Sequence, residues 1–161
     1  METEKKHEVL RILPFHLDEQ LFGLYLRHVQ RVIRAVAITP LPQAPEIIRG
    51  VVTVHSRVIP VVDIRKRFQL PERKLQARDS MIFAETARRP VVIPVDSVRG
   101  VVEIAKEAIT EADQAAPGVT HVREIAAVSD GMLFIHDLDG FLSLDEERKL
   151  DQSIMDFRRD K

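Results

Sequence analysis

The sequence predicts a mainly β chain of two pseudo-repeated, five-stranded small β-barrels (the Src-homology type), with short helices and a C-terminal helix. Three observations lead there. Apolar runs are short, rich in Val and Ile, and broken by Pro, Gly or charge about every ten residues, which is barrel or sandwich spacing. Two separated segments recur in the same order further along the chain. Only the end of the chain carries a clear helical stripe.

The strands read as 11–17, 21–26, 29–36, 50–54, 57–62, 80–85, 90–95, 98–104, 124–128 and 132–136. Asp18-Glu19-Gln20 and Ala87-Arg88-Arg89 read as hairpin turns, and Ser129-Asp130-Gly131 as a third, with Gly131 free to take positive φ. Pro42-Gln43-Ala44-Pro45-Glu46 introduces a short helical turn that ends at Gly50. Asp63 reads as the cap of a short helix over 63–69. The polar stretch 70–79 reads as a loop, and 105–121, with Pro117-Gly118, as a long irregular connection. Ser143 and Glu146 form a capping box, after which Leu150, Ile154 and Phe157 fall on one helical stripe expected to pack on the barrels.

GLYLRHVQRVI (23–33) aligns with VIPVDSVRGVV (92–102) at an offset of 69, Val29 on Val98, with Leu24, Leu26, Val32 and Ile33 on apolar partners. IPVVDIRKRF (59–68) aligns with LFIHDLDGFL (133–142) at an offset of 74, Asp63 on Asp137. The difference is what a loop insertion produces. The chain therefore reads as two copies of one unit, sub-barrels of about 11–69 and 79–143 within a domain of 10–145, followed by a helix and tail over 146–161. Each copy is near the lower size limit for its own core, so the two must pack together. Asp63 and Asp137 are expected to cap the turns behind their strands.

Composition excludes several classes. Hydrophobic residues make up 45% and charged residues 30% of 161 residues, a globular balance. There is no cysteine, so no disulfide or thiolate metal site exists. With 24 basic and 25 acidic residues, no global basic face favours nucleic acid. The local clusters Arg65-Lys66-Arg67 and Arg88-Arg89 read as solvated surface. No apolar stretch approaches the ~20 residues of a membrane span, and METEKKHEV lacks a signal core, so a cytoplasmic location is expected.

FHLDEQLFGLYLRHVQRVI (15–33), ITPLPQAPEIIRGVV (38–52) and VIPVVDIRKRF (58–68) resemble the CheW-like family, and PVVIPVDSVRGVVEI (90–104) and MLFIHDLDGFLS (132–143) extend the likeness over roughly 10–145. The resemblance implies a non-enzymatic adaptor that couples the cytoplasmic tips of chemoreceptors to the regulatory domain of a chemotaxis histidine kinase, recruited to membrane-receptor arrays without inserting into the membrane. It implies no cofactor and no catalytic residue. Val29 and Val32 match apolar positions of a groove strand, Gly50 the glycine after the short helix, and Val91 and Val98 apolar positions of the second barrel. The family usually reads N-L-R-G where this chain has Thr53-Val54-His55-Ser56, so His55 stands at a partner-contacting arginine position and Ser56 at a glycine. Arg31 stands where an acidic residue is common. These departures point to altered partner choice.

Other chemistry finds little support. His7, His16, His28, His55, His121 and His136 form no zinc signature. No P-loop, dinucleotide fingerprint or nucleophile elbow is present. The alternative from another class is a double barrel that binds nucleic acid or a ligand, but aromatics are only 5% and not interleaved with arginines.

Overall fold

The computed structural model describes residues 8–112, 122–129 and 131–159. Strand β1 (Val9–Leu17) turns through Asp18 and Glu19 onto β2 (Gln20–Tyr25), with Leu17 opposite Gln20. A 3-10 turn over Leu26–His28 leads into β3 (Val29–Arg34). A second hairpin, β4 (Ile48–Val54) and β5 (Arg57–Val62), is followed by helix α1 (Ile64–Arg67). The second half runs through β6 (Ser80–Glu85), β7 (Pro90–Val95), β8 (Ser97–Val98), β9 (Val102–Ala105), β10 (Ile109–Glu111), β11 (Val122–Val128) and β12 (Gly131–His136). It closes with a 3-10 turn, Leu138–Gly140, and helix α2 (Leu144–Arg159).

Most expected strands are present, with four differences. The expected strand 98–104 is two pieces: Val98 pairs with Phe15, the chain then leaves the ladder, and β9 resumes at Val102 opposite Ile12. Within the expected irregular connection, Lys106–Ala108 is a 3-10 turn and Ile109–Glu111 is a short strand, while Pro117 and Gly118 lie outside the described residues. The segment from Pro42 to Gly50 holds turns and no helix. Its two prolines sit in turns, closed by Ala44 N–H donating to the Leu41 carbonyl at 3.4 Å and Ile48 N–H donating to the Pro45 carbonyl at 2.9 Å, and Thr39 exchanges both backbone hydrogen bonds with Val51. Asp63 caps α1, accepting from the Arg65 N–H at 3.1 Å, but Asp137 makes no side-chain cap bond. Of the expected third hairpin turn, Asp130 lies outside the described residues; Val128 pairs with Gly131, which takes φ +127°.

The pairing partners were the larger surprise. One sheet has the order β10-β11-β12-β2-β1-β8, with β9 also on β1, and the other the order β3-β6-β7-β5-β4. The contiguous sub-barrels 11–69 and 79–143 are therefore not the hydrogen-bonded units. Each half sends its first hairpin into the other half's sheet, where β2 lies parallel to β12 and β7 parallel to β5. The repeat itself survives: β11-β12-β2-β1-β9 and β4-β5-β7-β6-β3 are the same order with the hairpins exchanged. An alignment cannot detect the exchange, because both arrangements contain the same strand sequences.

Alternation along the exchanged strands divides the core. Ile12 points into one barrel with Leu21, Ile104, Leu133 and Ile135. Met81 and Phe83 point into the other with Val52, Ile59, Val61 and Val92. Their neighbours Leu13, Phe15, Leu17, Ile82 and Ala84 point between the sheets into a larger shared core that also takes Leu150 and Ile154 of α2. Exchange thus ties each small barrel to the other through most of the buried apolar surface.

Gly50 sits on β4 at a bulge with φ +151°, not behind a helix. A Cβ there would strike the Thr39 carbonyl and approach Ile38 Cγ2 to 2.7 Å. Gly50→Ala should cost at least about 1 kcal/mol in urea denaturation, through positive φ and displacement of the Thr39 segment. An unchanged midpoint would mean that this segment yields freely.

Candidate functional site

Arg65 is only 6% exposed, although its sequence neighbours suggested a solvated basic cluster. Asp63 sets the start of α1, and the short helix then aims the Arg65 guanidinium inward. Its Nη2 donates to both Asp96 oxygens at 2.8 and 2.7 Å and pairs with Asp18 at 2.9 Å, while Nη1 donates to the Pro71 carbonyl at 3.2 Å. Asp96 also accepts from the Asp18 N–H at 2.6 Å and from Arg73 at 2.7 Å, and Arg73 pairs with buried Asp79 at 2.9 Å. Burial opposes the charge on Arg65, yet its hydrogen bonds and attraction to Asp18 and Asp96 outweigh burial and raise its pKa above the usual guanidinium value. This chain of charges joins the β1–β2 turn, α1, the loop before β6 and the point where β7 crosses to β8.

A second set of charges holds α2. The capping box is reciprocal: Ser143 N–H donates to Glu146 Oε1 at 2.9 Å, and Glu146 N–H donates to Ser143 Oγ at 3.1 Å. Arg67 pairs with Glu146 at 2.6 Å, and Arg89 pairs with Glu147 at 2.7 Å and also with Asp151. Leu150 is fully buried, Ile154 is buried and Phe157 is half-buried, as the stripe required. Of the two expected surface clusters, Lys66 and Arg88 stay exposed, while Arg65, Arg67 and Arg89 are taken up in internal ion pairs. Burial pushes the Glu146 carboxyl up, but the Ser143 amide and the Arg67 guanidinium outweigh it and hold the group below its ordinary value.

The six expected contact residues do not form one site. Val29 opens β3 opposite Ala84, and Val98 lies opposite Phe15; both are half-buried against the shared core. Val32, on the same edge strand as Val29, is 38% exposed, and its repeat partner Val101 is exposed as well. His55 is exposed at the tip of the β4–β5 hairpin, far along β4 from Gly50 at its bulge. Both tip residues take positive φ, His55 +48° and Ser56 +68°. The turn keeps the twist-matched geometry usually given to glycine, although neither residue is glycine. Val91 is only 2% exposed, in the shared core and behind a cavity beneath α2. Arg31 stacks over the Phe83 ring at 4.8 Å.

The exchange and the Arg65 network escaped sequence reasoning. Asp18, Arg65 and Asp96 are far apart in the chain, and nothing local marks them as partners. One signal was available: Asp18 and Asp96 each directly follow an apolar strand. His16, His28, His55 and His136 are dispersed, and no group of three candidate metal ligands occurs among the described residues. His7 and His121 lie outside those residues. His136 is buried among the rings of Phe15, Phe22, Phe68 and Phe141. No helix among the described residues is long and apolar enough to cross a membrane.

Residues 11–146 match the family model described as the CheW-like domain. The chain is 23% identical over 149 residues to the chemotaxis protein CheW of Treponema pallidum, covering 89% of this chain and 88% of that protein. It is 25% identical over 141 residues to the chemotaxis protein CheW of Klebsiella aerogenes, covering 86% and 85%. The crystal structure of the scaffolding protein TtCheW from Thermoanaerobacter tengcongensis superposes with a TM-score of 0.77 at 30% identity, over 86% of this chain and 96% of that one.

Arg65→Ala leaves Asp96 paired with Arg73 alone and removes the Arg65 partner of Asp18, which is already partly hydrated, so a loss of about 1–3 kcal/mol is expected in chemical denaturation. A loss below about 1 kcal/mol would mean that the carboxylates are hydrated without it. Folded Glu146 holds its proton less tightly than in the unfolded chain. Its contribution is present above the unfolded value and lost as pH falls through the folded one. Glu146→Gln should therefore flatten the decline of stability below about pH 4.3, and an unchanged acid slope would remove that assignment.

Proposed function

The chain belongs to the CheW-like domain family and is a chemotaxis-type coupling scaffold, and on that premise we propose which of its surfaces meet the receptor and the kinase. The receptor's cytoplasmic tip, a helical hairpin, lies along the seam beside Val29, Val32 and Val98, where apolar anchors can take successive helical turns. The kinase regulatory domain meets the end of the molecule that carries the β4–β5 tip, with His55 in contact and Gly50 keeping β4 in register behind it. Val91 meets a partner only through the cavity beneath α2. The protein carries out no reaction of its own and acts from the cytoplasmic face of receptor arrays.

One observation carries this reading. The repeat places Val32 and Val101 at equivalent positions, and both remain exposed next to half-buried neighbours while the rest of the shared core is closed. Exposed valines at equivalent positions of the repeat suit protein contact better than they suit a reactant. The nucleic-acid alternative is weakened because Arg65, Arg67, Arg73 and Arg89 are neutralised by carboxylates within the chain.

Binding in the micromolar range, about −8 kcal/mol, is expected for an isolated kinase regulatory domain. His55→Ala should weaken that binding while Tm stays within about a degree, since an exposed turn residue contributes little to packing. Capture of native lysate on the immobilised chain, read by mass spectrometry, tests the broader role. Recovery of neither a chemoreceptor nor a chemotaxis kinase would overturn it.

A further inference from the structure

The two repeats differ in side-chain size beside the start of α2. Where the exchanged β1–β2 hairpin meets β12, Phe15, Phe22, Phe68 and His136 form a packed aromatic box, with Phe22 and Phe68 centroids 4.8 Å apart and Phe68 and His136 centroids 4.6 Å apart. The repeat offsets of 69 and 74 carry these positions onto Ala84, Val91, Leu142 and Val62. Small aliphatic residues thus stand where the other half has rings. A cavity of about 110 Å³ is left there, with Val62, Val91 and Leu142 in its lining and Leu138 and Phe141 beside them. That is close to the room an aromatic ring needs, and the other half of the same molecule contains rings at the equivalent place.

Asp139 and Glu147 line the cavity and Asp151 lines the groove beside it, but Glu147 and Asp151 are paired with Arg89 and Asp139 accepts from the Ala87 N–H, so among the described residues the charges left without a partner there are positive. Arg88 stands on the rim, and beyond Arg89 a wider groove of about 450 Å³ runs between α2 and the β5–β7 pair, with Val58, Pro60, Ile154 and Met155 in its lining. Arg57 and Arg158 flank that groove. Arg89 is already shared by Glu147 and Asp151, whereas the guanidiniums of Arg57, Arg88 and Arg158 are exposed and have no carboxylate partner among the described residues. Met155 is 51% exposed, an adaptable apolar side chain at the groove wall.

The geometry points to a docking site beneath α2 for a partner segment that presents one aromatic side chain flanked by carboxylates. The ring enters the cavity behind Ala87 and Asp139, whose 2.8 Å backbone-to-carboxylate hydrogen bond spans the opening and must yield. The flanking carboxylates meet Arg88 on one side and Arg57 and Arg158 on the other. This site is separate from the seam beside Val29 and Val98. It deepens the scaffold reading by adding a third contact, and rests on that reading only for the assumption that the chain works by binding proteins.

The test is fluorescence anisotropy with a labelled peptide of about twelve residues, one central Phe between Glu residues, against two controls with Phe replaced by Ala or Glu by Lys. The acidic Phe peptide should bind about tenfold more tightly than either control, a difference of ~1.4 kcal/mol, and weaken as salt rises. Val91→Phe and Leu142→Phe install the other half's rings and should cut binding about tenfold without lowering Tm. If both unfold, the double variant Arg88→Glu, Arg158→Glu, which touches no core, should give the same loss. Equal binding of the Lys peptide, or retention of binding with the cavity filled or the arginines reversed, would overturn the site. Capture of the kinase regulatory domain by the unaltered chain is measured in parallel. If that succeeds while the acidic peptide fails to bind, the docking site alone falls.

Discussion

Arg65 reaches from α1 to Asp18 at the β1–β2 turn and to Asp96 where β7 crosses between sheets. Each contact belongs to a different piece of the exchanged architecture. The β1–β2 hairpin has left its own half for the other sheet, yet its turn is still held by the helix that closes its own half. The counterpart contact has other chemistry: Ala87 N–H, in the β6–β7 turn, donates to Asp139 just after β12. In both halves the element behind the last hairpin grips the turn of the first. A buried ion cluster of this kind adds little net stability over an apolar substitute, since desolvation offsets most of its Coulomb attraction. Breaking it is costlier than replacing it, because loss of the carboxylates would leave the Arg65 guanidinium buried and unpaired.

Exchange explains why two such small barrels are stable. Each internal cluster is slight, Ile12 with Leu133 and Ile135 in one, Met81 with Phe83 and Val92 in the other. Because β1 and β6 each place alternate residues inside a barrel and between the barrels, the hairpins that cross also supply the walls of the shared core. Neither barrel can open without exposing that core.

The same accounting separates structural charge from charge available to partners. Arg67 and Arg89 latch α2 through Glu146, Glu147 and Asp151, and Arg65 and Arg73 satisfy the three aspartates of the seam. At the cavity and groove beside α2, Arg57, Arg88 and Arg158 are exposed and have no carboxylate partner among the described residues. At the β4–β5 tip, His55 and Ser56 hold left-handed backbone without glycine, at a cost of about 1 kcal/mol or more per residue. The neighbouring β ladder, with Val54 opposite Arg57, keeps the tip in that shape and so presents His55 and Arg57 in a fixed orientation.

What the sequence determined by itself was local or self-referential. Short apolar runs bounded by charge or proline marked β6 and β7 to the residue, the Ser143 and Glu146 pair marked the start of α2, and the Leu150–Ile154–Phe157 stripe marked the face it buries. Internal alignment of 23–33 on 92–102 and of 59–68 on 133–142 revealed the duplication, and in the structure β4 and β5 map onto β11 and β12 end to end at the offset of 74. Tertiary structure alone decided which hairpin pairs with which sheet, that Arg65 is buried while Lys66 is not, that Gly50 serves a bulge and not a helix end, and that Val91 lies behind a cavity. The reason is physical. Periodicity and capping are energies of neighbours along the chain, whereas strand partnership and the burial of a charge depend on groups brought together only when distant segments meet.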